Sequence, residues 1–236
     1  MKPTIPAKLQ EDSTDSHKRV QFSHPGIEFS ARDLVAVDRA VTIRRPLILF
    51  LLTVLSTMLA GAIWNGANPP KTLESFLSGW PFSLTLLSIL MAHEMGHYLV
   101  SRYYQVPVSL PYFIPFPPIP IPTPIGIVFS YSFGTFGAVI GMKSLVRDRR
   151  ILFDVGIAGP LAGMCIAIPA VIIGLTLSVV AEMTEFKAGY VFGDSIMFIF
   201  LQTLVFGPLS GTQTVAIHPV ALAGWLGFLL TSINLL

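Results

Sequence analysis

Charge is scarce in this chain: 12% of its 236 residues are Asp, Glu, Lys or Arg, 53% are hydrophobic, and the mean hydropathy is +0.69. A balance this apolar lies outside the range of soluble globular domains and describes a polytopic membrane protein. Cysteine is nearly absent. The single Cys165 excludes an intrachain disulfide and a four-thiolate metal site, so histidine and carboxylate must supply any metal ligands. No basic run interleaved with aromatics occurs, and the net charge of +2 is small, which leaves no footing for a nucleic-acid partner. No short apolar segment near the start ends in a small-residue cleavage site, so the first apolar run, Leu47 to about Trp64, reads as retained rather than as a signal peptide.

Against that apolar background one group of ionisable residues stands out: His93, Glu94 and His97, inside the apolar run from Phe82 to Val100. Ionisable side chains at membrane depth are costly and usually face an interior cavity with a functional role. In H-E-x-x-H on a helix the histidines lie one turn apart on one face, where both imidazoles reach a single zinc ion. The glutamate between them is placed to act as general base on a water at the metal. The alternative, two histidines hydrogen-bonded to neighbouring helices, leaves a buried glutamate without a purpose.

The rest of the chain gives this triplet a setting. Residues 1–45, with cations and acids interspersed and little apolar periodicity, read as a largely disordered cytoplasmic tail. Residues 46–236 read as a membrane-embedded core. About four transmembrane helices are expected: Leu47 to Trp64, Pro81 to Tyr103, Leu152 to Val180 and Ile217 to Leu236. The shorter stretch Val191 to Pro208, with Asp194 and Gln202 inside it, reads as an interfacial or outer-face helix. Arg102, Lys143, Arg147, Arg149 and Arg150 mark the cytoplasmic side, which places the triplet toward that face. No Lys or Arg follows Lys187, so charge does not orient the last segments.

Between Gln105 and Met142 there is no charge and there are eight prolines, which remove too many N–H donors for a helix. From Ile127 to Ile140 bulky and small residues alternate through Gly134 and Gly137, as extended strands do. The segment reads as a membrane-embedded re-entrant β-hairpin, covered by protein or lining a wet cavity. A proline-rich linker is the competing reading, and the lack of charge counts against it. In the next span Gly159 and Gly163 stand four apart, the close-packing spacing, and Pro160 is expected to kink or open the helix. Asp154, four residues after Arg150, is expected at a depth similar to that of His97, five before Arg102. His218, at the start of the last span, reads as a helix-end residue.

These segments together resemble the site-2 proteases, the intramembrane zinc metalloproteases, from about Arg45 onward. The resemblance rests on His93 to His97 (HEMGH), Leu110 to Pro117 (LPYFIPFP) with Gly134 to Val139 (GTFGAV), Phe153 to Gly163 (FDVGIAGPLAG), and His218 to Leu236 (HPVALAGWLGFLLTSINLL). It is nearest to the bacterial and plastid branch without a PDZ domain. It implies that His93 and His97 are zinc ligands, that Glu94 is the general base, that the hairpin pairs with substrate, and that Asn234 belongs to the substrate-binding part of the site; an interhelical hydrogen bond is the competing role for Asn234. The family's third ligand is an aspartate in an L-D-G motif beyond an Asn-x-x-Pro sequence. Here Ile233, Asn234, Leu235 and Leu236 resemble the start of that sequence, and the chain stops. Either the core is incomplete at its C-terminus, or the chain is complete and its metal site impaired, with Asp154 as a candidate substitute ligand.

The expected function is a zinc-dependent intramembrane endopeptidase acting on transmembrane proteins within a lipid bilayer, and the expected location is a bacterial cytoplasmic membrane. The alternative is a non-catalytic membrane-protein binding or chaperone-like protein of the same fold, which the missing third ligand favours. A zinc or proton transporter is disfavoured by the lack of internal repeats and of polar groups on several helices.

Overall fold

A computed structural model describes residues 43–124, 126–142, 148–182, 193 and 195–233. Helix α1 (Arg44–Trp64) leads through a short α2 (Leu73–Leu77) into α3 (Trp80–Tyr103). Four strands follow: β1 (Tyr112–Phe116), β2 (Pro120–Thr123), β3 (Gly126–Phe129) and β4 (Gly134–Val139). Then come the long α4 (Arg149–Thr176), β5 (Val179–Glu182), α5 (Ile196–Phe206), β6 (Gln213–Ala216) and α6 (Pro219–Ile233). Three helical stretches among the described residues are long and apolar enough to cross a membrane: α1, α2 with α3, and α4. The expectation of four meets a shorter α6, 15 residues to Ile233, and the outer-face segment contains an 11-residue α5. Nearly all of the expected N-terminal tail, as well as Asn234, lies outside the described residues.

The helices sort their side chains as lipid demands. On α1, Leu47, Ile48, Leu51, Leu52 and Leu55 are exposed, while Thr53, Ser56, Thr57 and Ala60 are buried. Apolar residues outside and small or hydroxylated ones inside is the reverse of a soluble amphipathic helix, because lipid gives no reason to hide leucine and small residues let helices approach. The buried hydroxyls of α1 bond within the bundle except at Ser56: Thr53 Oγ1 donates to the Leu49 carbonyl at 2.7 Å, and Thr57 and Ser83 join α1 to α3 at 2.7 Å, while Ser56 Oγ has no partner among the described residues. Helix α3 is the centre of the bundle. Its buried Phe82, Leu86, Ile89 and Leu90 pack into cores shared with α1, α4 and α6.

Strands β1 and β4 pair antiparallel, from Tyr112 opposite Val139 to Phe116 opposite Gly134, and lie against α1. Phe113 meets Phe50 edge-on at 5.1 Å between ring centroids. Backbone touches backbone at Gly134, where a Cβ would come within 2.5 Å of Thr57 Cα. The ladder is irregular between Phe113 and Pro115, and one hydroxyl repairs it: Thr135 Oγ1 donates to the Ile114 carbonyl at 2.9 Å and accepts from Gly137 N at 3.0 Å. Thr135→Val keeps the shape and strips both partners of their bond, so it is expected to cost about 1–3 kcal/mol in thermal or denaturant unfolding. Strands β2 and β3 form a second hairpin, tied to the loop after α1 by the Asn68 amide, which accepts from Phe129 N at 2.7 Å and donates to Phe129 O at 2.9 Å.

Candidate metal centre

The two histidines lie in the second half of α3, and His97 is six residues, about 9 Å, from its end at Tyr103. His93 is 1% exposed and Glu94 3% exposed, so both are removed from solvent and from the lipid-facing surface. The imidazoles converge: His93 Nε2 and His97 Nε2 are 3.1 Å apart, with ring centroids at 4.8 Å. On its other side His97 Nδ1 lies 2.7 Å from the Val155 carbonyl oxygen on α4. A carbonyl only accepts, so Nδ1 carries the proton and, in the neutral ring, Nε2 presents its lone pair toward His93. A backbone carbonyl holding the far nitrogen of an imidazole is the usual support of a metal-binding histidine.

Zinc would fit this pair. Two nitrogens at about 2.05 Å from a tetrahedral ion stand about 3.3 Å apart, close to the separation found here. Glu94 has no cationic partner among the described residues, and its carboxylate is the one acidic group the sequence places between the ligands. The third ligand is another matter: among the described residues no three His, Cys, Asp or Glu side chains are grouped to hold one ion. Asp154 reaches the expected level of the helix, one residue before Val155, yet its carboxylate Oδ2 accepts a hydrogen bond from the Tyr104 hydroxyl at 2.5 Å. Residue counts carry no information on the direction in which the side chain leaves the helix. That same bond holds the Tyr104 phenol above its ordinary pKa.

Two glycines make the centre physically possible, and the sequence reading gave them only a packing role. A Cβ on Gly159 would overlap the Nε2, Cδ2 and Cε1 atoms of His97, and one on Gly163 would come within 3.3 Å of His93 Cβ and Nδ1. Helices α3 and α4 therefore meet with His97 over Gly159 and His93 over Gly163. The signal for this was present: histidines four apart on one helix and glycines four apart on the next have the same rise, about 6 Å. Gly96 completes the approach, since a Cβ there would overlap the Ala158 carbonyl. From the third side, Thr231 of α6 packs at Gly163, so the end of α6 comes beside His93. His218 sits at the opposite end of α6, where Nδ1 accepts from Val220 N at 3.3 Å, the helix-end role expected of it.

An H-E-x-x-H pair buried on a helix long and apolar enough to cross a membrane defines a membrane metalloprotease. The chain belongs to peptidase family M50, the site-2 protease family, whose model matches residues 81–236. It is 30% identical over 180 residues to "Probable zinc metalloprotease EGY1, chloroplastic" of Oryza sativa subsp. japonica, covering 73% of this chain and 29% of that protein. The EGY1 protein of Arabidopsis thaliana, with the same description, is 32% identical over 184 residues, covering 73% of this chain and 30% of the relative. "Probable zinc metalloprotease EGY2, chloroplastic" of Arabidopsis thaliana is 27% identical over 168 residues, with 69% and 27% covered. The chain thus spans under a third of the length of these relatives. No solved structure matches it. The relatives are chloroplastic plant proteins, which gives the expected bacterial cytoplasmic membrane no support.

Proposed function

We propose that this chain carries the active site of a zinc-dependent intramembrane endopeptidase that hydrolyses peptide bonds of transmembrane proteins. The observation that carries the reading is the 3.1 Å convergence of two imidazole nitrogens beside a buried glutamate. His93 and His97 would hold the ion, and zinc, when bound, supplies a Lewis acid that polarises the peptide carbonyl and acidifies water. Glu94 takes the proton of the attacking water and returns it to the leaving amine. Val155 keeps His97 in the tautomer that leaves Nε2 free to coordinate. The buried setting keeps bulk water away from the carboxylate, so proton transfer is confined to the water that attacks.

Substrate enters as an extended strand in this reading. The β1–β4 pair, taken to lie at membrane depth, offers an edge on which an unwound transmembrane segment satisfies its backbone groups. Helix-breaking residues in the substrate therefore favour cleavage. Helix α6 is the proposed fourth span, with Thr231 near its end approaching the glycine beside His93, and Asn234 is proposed to serve substrate binding on the strength of the family resemblance. Arg102, Arg149 and Arg150 support a site toward the cytoplasmic or equivalent positive face.

The test is cleavage of a single-span model substrate by the purified chain in proteoliposomes, with zinc content measured alongside. Cleavage that stops with a chelator and returns with added zinc is the expected result. Cleavage indifferent to the chelator refutes the mechanism. Substrate capture without turnover, in a zinc-free chain, selects the non-catalytic binding reading.

A further inference from the structure

Helices α3 and α4 meet through their smallest residues: Gly96 on one, and Ala158, Gly159, Ala162 and Gly163 on the other. Such a contact brings backbones close, and around it the His97 ring over Gly159 and the packing of Ile151 and Val155 with Tyr98 and Val100 hold the two helices together. Directional bonds add to that packing by fixing the rotation at which polar groups of the two helices meet. Two are present, and they leave α4 from consecutive residues. The Val155 carbonyl takes the His97 Nδ1 proton at 2.7 Å, and the Asp154 carboxylate takes the Tyr104 hydroxyl proton at 2.5 Å.

We infer that the Tyr104–Asp154 hydrogen bond is a positioning element of the metal centre: it holds α4 in the register and rotation at which the Val155 carbonyl keeps His97 in its metal-binding tautomer. The inference rests on the reading of His93 and His97 as metal ligands. Tyr104 is the cap of α3, its N–H bonded to the Val100 carbonyl, so its backbone is anchored to the histidine-bearing helix. Its ring spans to α4, where the short distance is that of a hydroxyl donating to a carboxylate. Asp154 is half-buried, so that bond is partly shielded from water. A slip of about 2.5 Å along the axis, less than two residues of helical rise, would stretch the Val155 contact past hydrogen-bond range. His97 would then be free to carry its proton on Nε2, the atom that must coordinate. In this account Asp154 acts on the ion through Val155 and His97 and does not touch it.

Three substitutions in the full chain separate this role from ligation. Tyr104→Phe and Asp154→Leu both delete the bond, whereas Asp154→Asn keeps an oxygen that accepts from Tyr104. Zinc affinity, read by chelator competition in detergent, is expected to fall tenfold or more in Tyr104→Phe and Asp154→Leu, the range seen when support of a ligand is lost. Asp154→Asn is expected to recover most of that affinity. The second readout needs no metal: in ¹⁵N-histidine protein, the His97 ring signals, assigned by their loss in His97→Gln, report a single Nδ1–H tautomer in the unsubstituted chain and in Asp154→Asn. Tyr104→Phe and Asp154→Leu are expected to show a mixture. Unchanged tautomer and affinity in Tyr104→Phe overturn the inference. Loss of zinc in Asp154→Asn with full affinity in Tyr104→Phe overturns it too, and makes Asp154 a ligand. If the unsubstituted chain takes up no zinc, the metal reading fails, and the tautomer comparison alone still decides whether Tyr104 and Asp154 position His97. Tyr104→Phe removes one hydroxyl and Asp154→Asn one charge, so this pair decides the matter even if Asp154→Leu does not fold.

Discussion

Replacing Glu94 by glutamine is expected to lower the turnover of a transmembrane substrate by about 10²–10⁴-fold, the usual contribution of a positioned general base. The side chains have the same shape, and an amide has no basic oxygen able to accept the proton of the attacking water. Glu94 is 3% exposed, so exchanging an ionisable group for a neutral one relieves a desolvation cost and is expected to leave the fold intact. Zinc bound by His93 and His97 is expected to stay, and captured substrate to accumulate uncleaved. Turnover equal to that of the unsubstituted chain would remove Glu94 from the mechanism. Release of zinc by Glu94→Gln would instead make the glutamate part of the ion's binding set.

Gly159→Ala is the second large effect, and it comes from one methyl group. Alanine favours a helix over glycine by about 1 kcal/mol, so on propensity alone the change is stabilising. Packing opposes it: the added Cβ would fall on the His97 ring, which cannot swing away without leaving the Val155 carbonyl. Overpacking of this kind costs about 1–3 kcal/mol and outweighs the propensity gain. Since the atom displaced is the Nε2 proposed to coordinate, zinc affinity is expected to fall at least tenfold, by roughly the amount lost when a ligand's support is removed, and cleavage with it. Gly156→Ala is the control on the same helix, because nothing lies within 4 Å of a Cβ there, and it is expected to be neutral or slightly stabilising. Zinc titration and thermal unfolding of the two variants side by side make the comparison. Equal zinc affinity in both would show that His97 is free to repack and that the glycine serves helix packing alone.

The candidate site of this protein was legible in linear order because its signal is local. His93, Glu94 and His97 lie within five residues, and one helical turn is enough to bring two imidazoles to the same face. The apolar runs announced α1, α3 and α4, and the proline-rich, charge-free segment announced extended backbone, since proline and lipid together leave few ways to satisfy a main chain. The role of Gly159 was half legible. Its spacing from Gly163 indicated close approach, and only the juxtaposition of α3 with α4 identified the approaching groups as the two metal-site imidazoles.

Asp154 marks the boundary between what the chain order and what the fold determined. Counting residues from Arg150 and Arg102 gave an expected level along the helix, because helical rise is the same for every residue. Its azimuth depends on how α4 is rotated against α3, and each residue turns the side chain by about 100°. That rotation is set by contacts between segments some sixty residues apart: glycine against imidazole, carbonyl against Nδ1, and carboxylate against the Tyr104 hydroxyl. The sequence alone determined that two histidines and a glutamate stand at metal-site spacing within an apolar run. Tertiary structure alone decided which groups aim those histidines, since a hydrogen bond depends on direction, and direction across two helices is set only when they pack.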